Sequence, residues 1–392
     1  MSRSSTSDRR SRVAVSHSSR ERLRGAVVGY GFISSRGHVP AYLQRAKRQR
    51  DVEIVAMADL CAARRDHARR ALPGMRIYPD HRSLLDAEAH GLDFVDICTP
   101  PSSHSEIARA ALERGLHVLC EKPLAPTVGE ASLLLETAAA VHRVIFPCHN
   151  YKHAPVVKAI RDIIQTGRIG TVRSVTLNTF RNTFARGVPE WRPDWRRERR
   201  FSGGGIAMDH GSHTFYLAFE WMGGYPTAVS AKMTRVGSDQ HDTEDNFSAV
   251  LTFPRGLAHA HLSWTAGVRK VIYTLQGDKG AITVDDDELQ LAVAGGGINR
   301  PNVKWSFEKR SVSSHWMDAS HTHWFDSLFD EFKTAIEEGA FVGKEARDAY
   351  FCVQTISNAY RSADEGCREV ELGTEIGWAE RWFPMNRVPI GR

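Results

Sequence analysis

The stretch Val27-Val28-Gly29-Tyr30-Gly31-Phe32-Ile33-Ser34 decides how the first half of the chain folds. It joins the end of an apolar run to the start of a helical pattern through a GxGxxS turn. Glycines permit a tight turn and a close approach of the backbone to a ligand, and the final serine still allows close helix packing. The helix N-terminus that follows favours an anionic group such as a pyrophosphate. Taken alone the motif is weak, and an ordinary strand-to-helix turn is the alternative.

The segment around this turn alternates short apolar runs with helical patterns. The runs cover residues 25–28, 52–58, 94–98, 117–120 and 144–146. Apolar runs separated by helices are typical of βαβ units, so this segment is predicted to form a doubly wound parallel sheet with helices on both faces. The turn then lies at the carboxyl end of a parallel strand, where such sheets bind ligands.

The pattern changes after about residue 150. Helices are predicted at residues 155–166, 206–222, 324–337 and 346–363. Strands are predicted at residues 172–180, 228–234, 247–253, 258–264, 271–276 and 281–284, with loops at residues 181–202 and 294–298. Long strand runs joined by short turns indicate an antiparallel sheet with helices on one face.

Composition limits the class of protein. A chain of 392 residues suits two domains, and 42% hydrophobic with 25% charged residues is typical of a globular protein. No run approaches the roughly 20 consecutive apolar residues of a membrane-spanning helix, so no membrane embedding is expected. Residues 1–24 hold seven arginines and two acids and so carry most of the net charge of +6. A nearly neutral remainder does not predict nucleic-acid binding.

The first residues and the cysteines indicate the compartment. Residues 1–22 are rich in serine and arginine and lack an apolar stretch, which predicts a disordered basic tail and not a secretory signal. The six cysteines include no CxxC pair, and several lie within apolar runs. Buried free thiols of a reducing compartment are the interpretation, so we expect a cytoplasmic protein.

An acid ends the second apolar run. Asp59 follows Gly31 by 28 residues. An acid at this place can accept hydrogen bonds from an adenosine ribose and would repel a 2′-phosphate, so NAD is predicted over NADP. Arg64 and Arg65 follow and could bind a 2′-phosphate, which keeps NADP as the alternative. Asp59 could also cap the next helix.

Polar segments follow two further strands of the predicted parallel sheet. One reads Thr99-Pro100-Pro101-Ser102-Ser103-His104 and the other Glu121-Lys122-Pro123. Both lie where open α/β sheets bind ligands. A lysine between an apolar strand and a proline has a restricted backbone, and a partly desolvated amine there can take part in proton transfer. For an isolated lysine, a solvated loop residue is the commoner case.

A third polar pair lies on a predicted helix of the second half. Asp209 and His213 are four residues apart, so they share one helix face, and three glycines precede the helix. An ion pair on the helix surface would account for them if Lys122 were not present.

These motifs together resemble the Gfo/Idh/MocA oxidoreductases, which include glucose-fructose oxidoreductase and inositol dehydrogenases. The resemblance is carried by Gly29-Tyr-Gly31, Thr99-Pro100, Glu121-Lys122-Pro123 and Gly203-Gly-Gly-Ile-Ala-Met-Asp209-His-Gly211-Ser-His213, in order across residues 23–365. It implies a dinucleotide-binding Rossmann domain at residues 23–149. It also implies a substrate and oligomerisation domain at residues 150–392, with a large, mostly antiparallel open sheet. Homodimers or homotetramers packed through that sheet are expected.

The resemblance implies a catalytic group at Lys122, Asp209 and His213. Histidine titrates near working pH, so His213 is the predicted acid/base, Lys122 is predicted to bind the reacting oxygen, and Asp209 to position substrate. The roles of Lys122 and His213 could be exchanged. Asn150 is a further predicted substrate contact. The predicted cofactor contacts are Gly29, Gly31, Phe32, Ile33, Asp59, Thr99, Pro100, His104, Glu121 and Lys122.

The loop at residues 181–200 indicates the type of substrate. It contains Trp191, Trp195 and seven arginines against three acids. Tryptophan faces can pack on a sugar, with Trp191 the predicted contact, and arginines bind hydroxyl, carboxylate or phosphate groups. A solvated basic loop or a subunit contact is the alternative. No HExxH motif or cysteine pairing accompanies the histidine pairs of the sequence, so no metal is predicted. These pairs are His210 and His213, His259 and His261, and His321 and His323.

The sequence therefore predicts an NAD-dependent oxidoreductase that transfers a hydride to or from a secondary hydroxyl group of a sugar, cyclitol or derivative. A redox-neutral enzyme with tightly held NAD, such as an epimerase or transhydrogenase, is one alternative. A non-catalytic dinucleotide-binding regulator is another, although it has no need of the proton-transfer group. Nucleic-acid binding through the arginine-rich tail at residues 1–22 is the last alternative.

Overall fold

The structure is a computed structural model that describes residues 22–236, 240–295, 303–314, 316 and 320–373. The predicted basic tail therefore lies outside the described residues, apart from Arg22. Most of the predicted glycine-rich loop also lies outside them, and its first two residues, Ala294 and Gly295, end a strand.

A parallel sheet of six strands forms the first half of the molecule. Its strands are β1 (Leu23–Val28), β2 (Val52–Ala58), β3 (Arg76–Tyr78), β4 (Phe94–Ile97), β5 (His117–Cys120) and β6 (Ile145–Pro147). Their spatial order is β3-β2-β1-β4-β5-β6, and every pairing is parallel. The order reverses between β1 and β4, which places a ligand crevice at their carboxyl ends. The doubly wound parallel sheet was predicted; β3 was not, because three half-buried residues make no pattern.

Helices connect these strands. They are α1 (Val39–Arg48), α2 (Ala62–Ala71), α3 (His81–Glu88), α4 (His104–Glu113) and α5 (Val128–Ala140). A π-helical turn over Ser34–His38 leads into α1. Side chains cap the N-termini of α3 and α5. The Asp80 carboxylate accepts from the Ser83 amide, and the Thr127 hydroxyl accepts from the Glu130 amide.

A mixed sheet of nine strands forms the second half. The strands are β7 (Val172–Phe180), β8 (Ala228–Thr234), β9 (Asn246–Phe253), β10 (Gly256–Ser263), β11 (Lys270–Gly277), β12 (Gly280–Asp285), β13 (Glu288–Gly295), β14 (Lys304–Ser311) and β15 (Val370–Glu371). Their order is β14-β13-β12-β11-β7-β10-β9-β8-β15, and only β7 and β10 pair in parallel. The mostly antiparallel sheet is thus confirmed. The prediction omitted β13, β14 and β15, and every residue of β14 is exposed, so no alternation of burial marks it.

Five helices belong to this half of the chain. They are α6 (Pro155–Gln165), α7 (Arg199–Ser202), α8 (Ile206–Met222), α9 (Thr322–Glu337) and α10 (Lys344–Asp364). Helix α8 packs on β7, β9 and β10, and α10 packs on β8. No helix among the described residues has both the length and the apolar character to cross a membrane.

The late helix α9 packs mainly on the parallel sheet, while its Trp324 lies in the larger core that contains residues of both sheets. Phe325, Phe329 and Phe332 of α9 are buried against residues of the parallel sheet, among them Phe94 and Val27. Phe329 and Phe332 lie 5.7 and 5.5 Å from Phe94 between ring centroids. The two sheets are therefore joined by a shared apolar layer, and the boundary at residue 149 stays a prediction.

Candidate active site

A cleft of about 730 Å³ opens at the carboxyl ends of β1, β4 and β5. One end is lined by the turn after β1 and by Asp59. The other end is lined by residues of the 181–204 segment and by the first turns of α8. The cleft therefore joins the predicted cofactor turn to the predicted catalytic residues.

The turn after β1 leaves its backbone open to the cleft. Gly29 has φ +94°, and a Cβ there would lie 2.9 Å from the carbonyl carbon and oxygen of Cys98, so only glycine fits. A Cβ at Gly31 would meet nothing within 4 Å. A pyrophosphate could approach this open backbone at the start of the helical segment, as the cofactor hypothesis requires. Phe32 and Ile33 line the same end of the cleft.

Asp59 lines the cleft beside this turn. Its two oxygens accept hydrogen bonds from the Tyr30 amide at 2.6 Å and the Cys61 amide at 2.7 Å. Burial raises the pKa of this carboxyl above its usual value, although the two amides act in the opposite direction. Each oxygen keeps a further lone pair for a ribose hydroxyl. The residue that caps the N-terminus of α2 is Cys61, and not Asp59 as the sequence allowed. Asp59 supports this helix only by accepting from the Cys61 amide.

The two arginines weighed for a 2′-phosphate are bonded to the backbone. Arg64 is buried, donates to the Tyr30 carbonyl at 2.8 Å and lies over the Tyr30 ring. Arg65 donates to the carbonyls of Asp59 and Leu60 at 2.8 and 2.9 Å. Both side chains thus hold the loop that carries Asp59.

Lys122 and Asp209 meet across the cleft. The Lys122 ammonium donates to the Asp209 carboxylate at 3.0 Å and to its main-chain carbonyl at 2.5 Å. Arg196 donates to the same carboxylate at 3.4 Å. Burial alone would raise the pKa of Asp209, but the charges of Lys122 and Arg196 hold it well below its usual range. Asp209 is therefore ionised and fixes the position of the ammonium.

His213 lies one helical turn after Asp209. Its Nδ1 is 2.7 Å from the Tyr216 hydroxyl, and its ring stacks on Tyr151 at 3.9 Å. Burial and the nearby Lys122 charge hold the pKa of His213 well below its usual value. The imidazole is therefore neutral near pH 7, with Nε2 left for a ligand.

A distant carboxylate anchors the start of α8. Glu244 accepts from the amides of Gly205 and Ala207 at 3.0 Å each and from the Tyr360 hydroxyl at 2.8 Å. A Cβ at Gly205 would lie 1.9 Å from the Glu244 main-chain oxygen, so the close approach needs glycine. This contact explains the third glycine before the helix, and it sets the position of Asp209 and His213.

The segments after β4 and β5 are joined by a histidine. Thr99, Pro100 and Glu121 line the cleft, as predicted for cofactor contacts. His104 does not: it is fully buried, and its two ring nitrogens lie 2.8 Å from the carbonyls of Thr99 and Pro123. A direct cofactor contact does not follow from this geometry, because the ring serves the two loops instead.

Both remaining predicted contacts line the cleft. The side-chain oxygen of Asn150 is buried and has no hydrogen-bond partner within the described parts of the chain, so it can accept from a ligand. Trp191 lies edge-on to Phe201 at 5.6 Å.

The sequence interpretation missed four groups of this region. Tyr151 and Tyr216 hold His213, and His210 and Arg269 line the cleft. Burial and nearby cations, despite the Asp209 carboxylate, lower the pKa of His210 to about 3. His210 is next to Asp209 in the quoted motif, which is the one signal that could have found it.

Beneath the cleft, a histidine bridges two carboxylates. His38 lies 2.8 Å from Asp96 and 3.0 Å from Glu121, one on each ring nitrogen. Burial alone would lower the pKa of His38, but Asp96 raises it well above its usual value. Across the described residues, one trio brings possible metal-ligand atoms within 4.8 Å, namely His38, Asp96 and Cys148. The histidine pairs weighed in the sequence are not part of it.

Comparison with known proteins identifies both halves of the chain. Residues 23–149 match the family described as an oxidoreductase family with an NAD-binding Rossmann fold, and residues 157–283 match the GFO/IDH/MocA C-terminal domain. D-glucoside 3-dehydrogenase of Escherichia coli strain K12 is 24% identical over 369 residues, which are 89% of this chain and 97% of that protein.

Two further similar proteins cover different shares of the chain. D-apiose dehydrogenase of Paraburkholderia graminis is 31% identical over 221 residues, 56% of this chain and 54% of that protein. The crystal structure of GenD2 from gentamicin A biosynthesis in complex with NAD is 25% identical, with a TM-score of 0.73, and the match covers 90% of this chain and 97% of that one.

Proposed function

Because the chain belongs to the GFO/IDH/MocA family of oxidoreductases with an NAD-binding Rossmann fold, we propose that it transfers a hydride between NAD and a secondary hydroxyl group of a sugar or cyclitol. One observation carries the proposal: a single cleft is lined by the open backbone at Gly31 and by Lys122, Asp209 and His213. Two similar proteins are dehydrogenases of a glucoside and of apiose, which supports the sugar class.

The cofactor end has the groups that a dinucleotide needs. The turn at Gly29 and Gly31 would hold the pyrophosphate against amide groups, and Asp59 would accept from a ribose hydroxyl. When bound there, NAD⁺ supplies the hydride acceptor of the reaction. Thr99, Pro100 and Glu121 would line the path from the dinucleotide to the substrate.

His213 is the proposed proton acceptor. Oxidation of an alcohol removes the hydroxyl proton as the hydride leaves. When Nδ1 carries the proton and donates to Tyr216, Nε2 is a free acceptor for that hydroxyl proton. The stacked Tyr151 ring keeps the imidazole plane in place.

Lys122 is the proposed ligand of the reacting oxygen. Its ammonium has three donors, and the carboxylate and carbonyl of Asp209 take two of them. The third can reach the substrate oxygen and stabilise the negative charge that develops on it. Asp209 acts by holding Lys122 in this position.

We also propose that the protein assembles through the open face of its larger sheet. The face opposite α8 exposes Leu257 at 41% and Phe307 at 78% of their surface. These residues lie in one row across the sheet, and Trp305 is exposed on the same face of β14. The exposed apolar side chains on this face favour a second copy of the chain, as a homodimer or as part of a homotetramer.

The test of the reaction is to incubate the protein with NAD⁺ and a panel of cyclitols, aldoses and glycosides while following NADH absorbance. We expect NADH to form with one class of compound. The His213→Ala variant is the matched control, because it should still bind NAD⁺ while producing little NADH. Absence of NADH with every class, while calorimetry shows NAD⁺ binding, would contradict the proposed dehydrogenation.

A further inference from the structure

Two arginines meet at the substrate end of the cleft. Arg181 follows the last residue of β7, and Arg269 precedes the first residue of β11. These strands are antiparallel neighbours, with Phe180 paired to Lys270, so the two arginines extend from adjacent strand ends. Both side chains line the cleft.

The hydrogen bonds of Arg181 and Arg269 go to main-chain carbonyls, so they hold the two side chains but do not neutralise their positive charges. Arg181 donates through Nη1 to the carbonyls of Phe180 at 2.8 Å and Lys270 at 3.4 Å. Arg269 donates through Nη2 to the Trp316 carbonyl. Its Nε is buried and has no partner among the described residues. Neither guanidinium forms an ion pair with any carboxylate that the structure describes.

The other arginines of this region differ in that respect. Arg186 pairs with Asp194 at 3.0 Å and Arg200 with Glu198 at 2.6 Å, and both are largely exposed. Arg196 shares Asp209 with Lys122. The basic loop of the sequence thus contributes few free charges, and Arg269 comes from a segment outside it.

The substrate end therefore carries an excess of positive charge. Asp209 is the carboxylate within reach of Lys122 and Arg196, whereas His210 and His213 are neutral near pH 7. Burial lowers the pKa of Arg269 and the charge of Arg181 lowers it further, although the charge of Asp286 acts in the opposite direction. Two neighbouring cations with no carboxylate in direct contact are costly to keep in a partly buried site, and an anionic ligand group relieves that cost.

The pair lies close to the proposed reacting centre. Arg269 lines the same cleft as Tyr151, and the Tyr151 ring stacks on His213. Arg181 interacts with His210, which adjoins Asp209. One small molecule can thus contact both the arginine pair and His213.

We infer that the substrate carries an anionic group, a carboxylate or a phosphate, that binds between Arg181 and Arg269. The inference rests on the proposed function and narrows it from sugars in general to sugar acids or sugar phosphates. Guanidinium groups suit this role because their planar donors bind carboxylate or phosphate oxygens in pairs.

The test compares matched sets of compounds: glucose, glucuronate and glucose 6-phosphate, and the same three forms of galactose. We expect kcat/KM with NAD⁺ to be roughly 10²-fold or more higher for a charged member than for its neutral counterpart. The preferred charged member shows whether the group is a carboxylate or a phosphate. Equal or better turnover of the neutral sugars overturns the inference.

Variants test whether the two arginines cause the preference for charged compounds. Arg269→Gln and Arg181→Gln should raise KM for the charged compound by roughly 10- to 100-fold, with kcat and the neutral sugar little changed. Arg269→Lys should recover part of the affinity, because it keeps the charge. Arg186→Gln is the matched control, since that arginine lies outside the cleft, and we expect no change. A loss that is equal for charged and neutral compounds would mean a structural role only.

Binding separates this inference from the proposed function. Calorimetry would measure glucuronate and glucose 6-phosphate binding to the protein saturated with NADH. If an anion binds, and Arg269→Gln abolishes binding, the arginine site stands even where no sugar is oxidised and the hydride reaction fails. If neither anion binds, and neutral sugars are oxidised, the function stands and the arginine site is refuted. If nothing binds or reacts, both fail.

Discussion

Lys122 and His213 reach the same cleft from different parts of the chain, one from the end of β5 and one from the second turn of α8. Each is held by its own partner: Asp209 for the ammonium and Tyr216 for the imidazole. The two groups are therefore held in fixed positions, which is what the proposed proton transfer and oxygen binding would require.

We predict that Lys122→Ala and His213→Ala each lower kcat/KM by about 10²- to 10⁴-fold, because each removes a proton-transfer or charge-stabilising group. Steady-state kinetics with a compound that yields NADH in the panel assay provide the measurement. Lys47→Ala, an exposed lysine on α1, is the control and should leave kcat/KM unchanged. Near-normal turnover of either active-site variant would count against its assigned role.

A second prediction at the residue scale concerns His38. Its folded-state pKa is raised, so its contribution to stability is complete below its unfolded value of about 6.5 and is lost as pH rises through the folded value. The free energy of unfolding should therefore fall as pH rises above about 6.5, and His38→Gln should lower it at pH 6 and flatten this dependence. Urea denaturation across this range measures both effects.

The exposed His90 provides the comparison for His38. His90→Gln should keep both the stability and its pH dependence. If His38→Gln retains the full wild-type slope, another group is responsible for it, and the buried imidazolium between Asp96 and Glu121 is not the source.

At the scale of elements, a buried arginine joins α1 to α9. Arg45 is 2% exposed and donates to Asp51 at 2.7 and 2.9 Å, to Asp330 at 2.6 Å and to Asp326 at 3.2 Å. The two last acids are four residues apart and so lie on one face of α9. This cluster fixes how the late helix packs on the parallel sheet.

We predict that Arg45→Leu lowers the free energy of unfolding by about 3 kcal/mol, because the buried Asp51 carboxylate loses its two-fold hydrogen-bond partner and keeps only Lys333. Arg48 is the matched control: it is one turn further on, is 60% exposed and pairs with Asp326 at 2.6 Å. Arg48→Leu should change stability by less than about 1 kcal/mol. Equal effects of the two substitutions in urea denaturation would show that burial does not matter at Arg45.

At the scale of the whole molecule, the exposed face of the larger sheet is the surface that we propose for assembly. We predict that sedimentation gives a mass of two or four chains, and that Phe307→Glu shifts it towards one chain because it replaces an exposed apolar side chain of this face with a charge. Phe32→Glu, which alters an exposed phenylalanine in the cofactor cleft, should leave the mass unchanged. A monomeric wild-type protein would rule out the proposed assembly.

Much of the fold could be predicted from short segments of the sequence. The apolar runs of the parallel sheet, the turn at Gly29 and the long α8 helix were predictable, because burial patterns and turn chemistry act over a few neighbouring residues. Asp209 and His213 share a helix face for the same local reason. The exposed β14 carried no such pattern, so its pairing with β13 was not predictable.

What the sequence determined by itself was thus the two types of sheet and most of their strands, and it singled out Lys122, Asp209 and His213 as candidates. Only the tertiary structure decided which groups meet: Arg181 with Arg269, Glu244 with the start of α8, and α9 with the parallel sheet. It also showed that His104, which was predicted as a cofactor contact, bonds the backbones of two loops. The physical reason is that these contacts depend on strand register and helix packing between segments far apart in the chain, which no local pattern encodes.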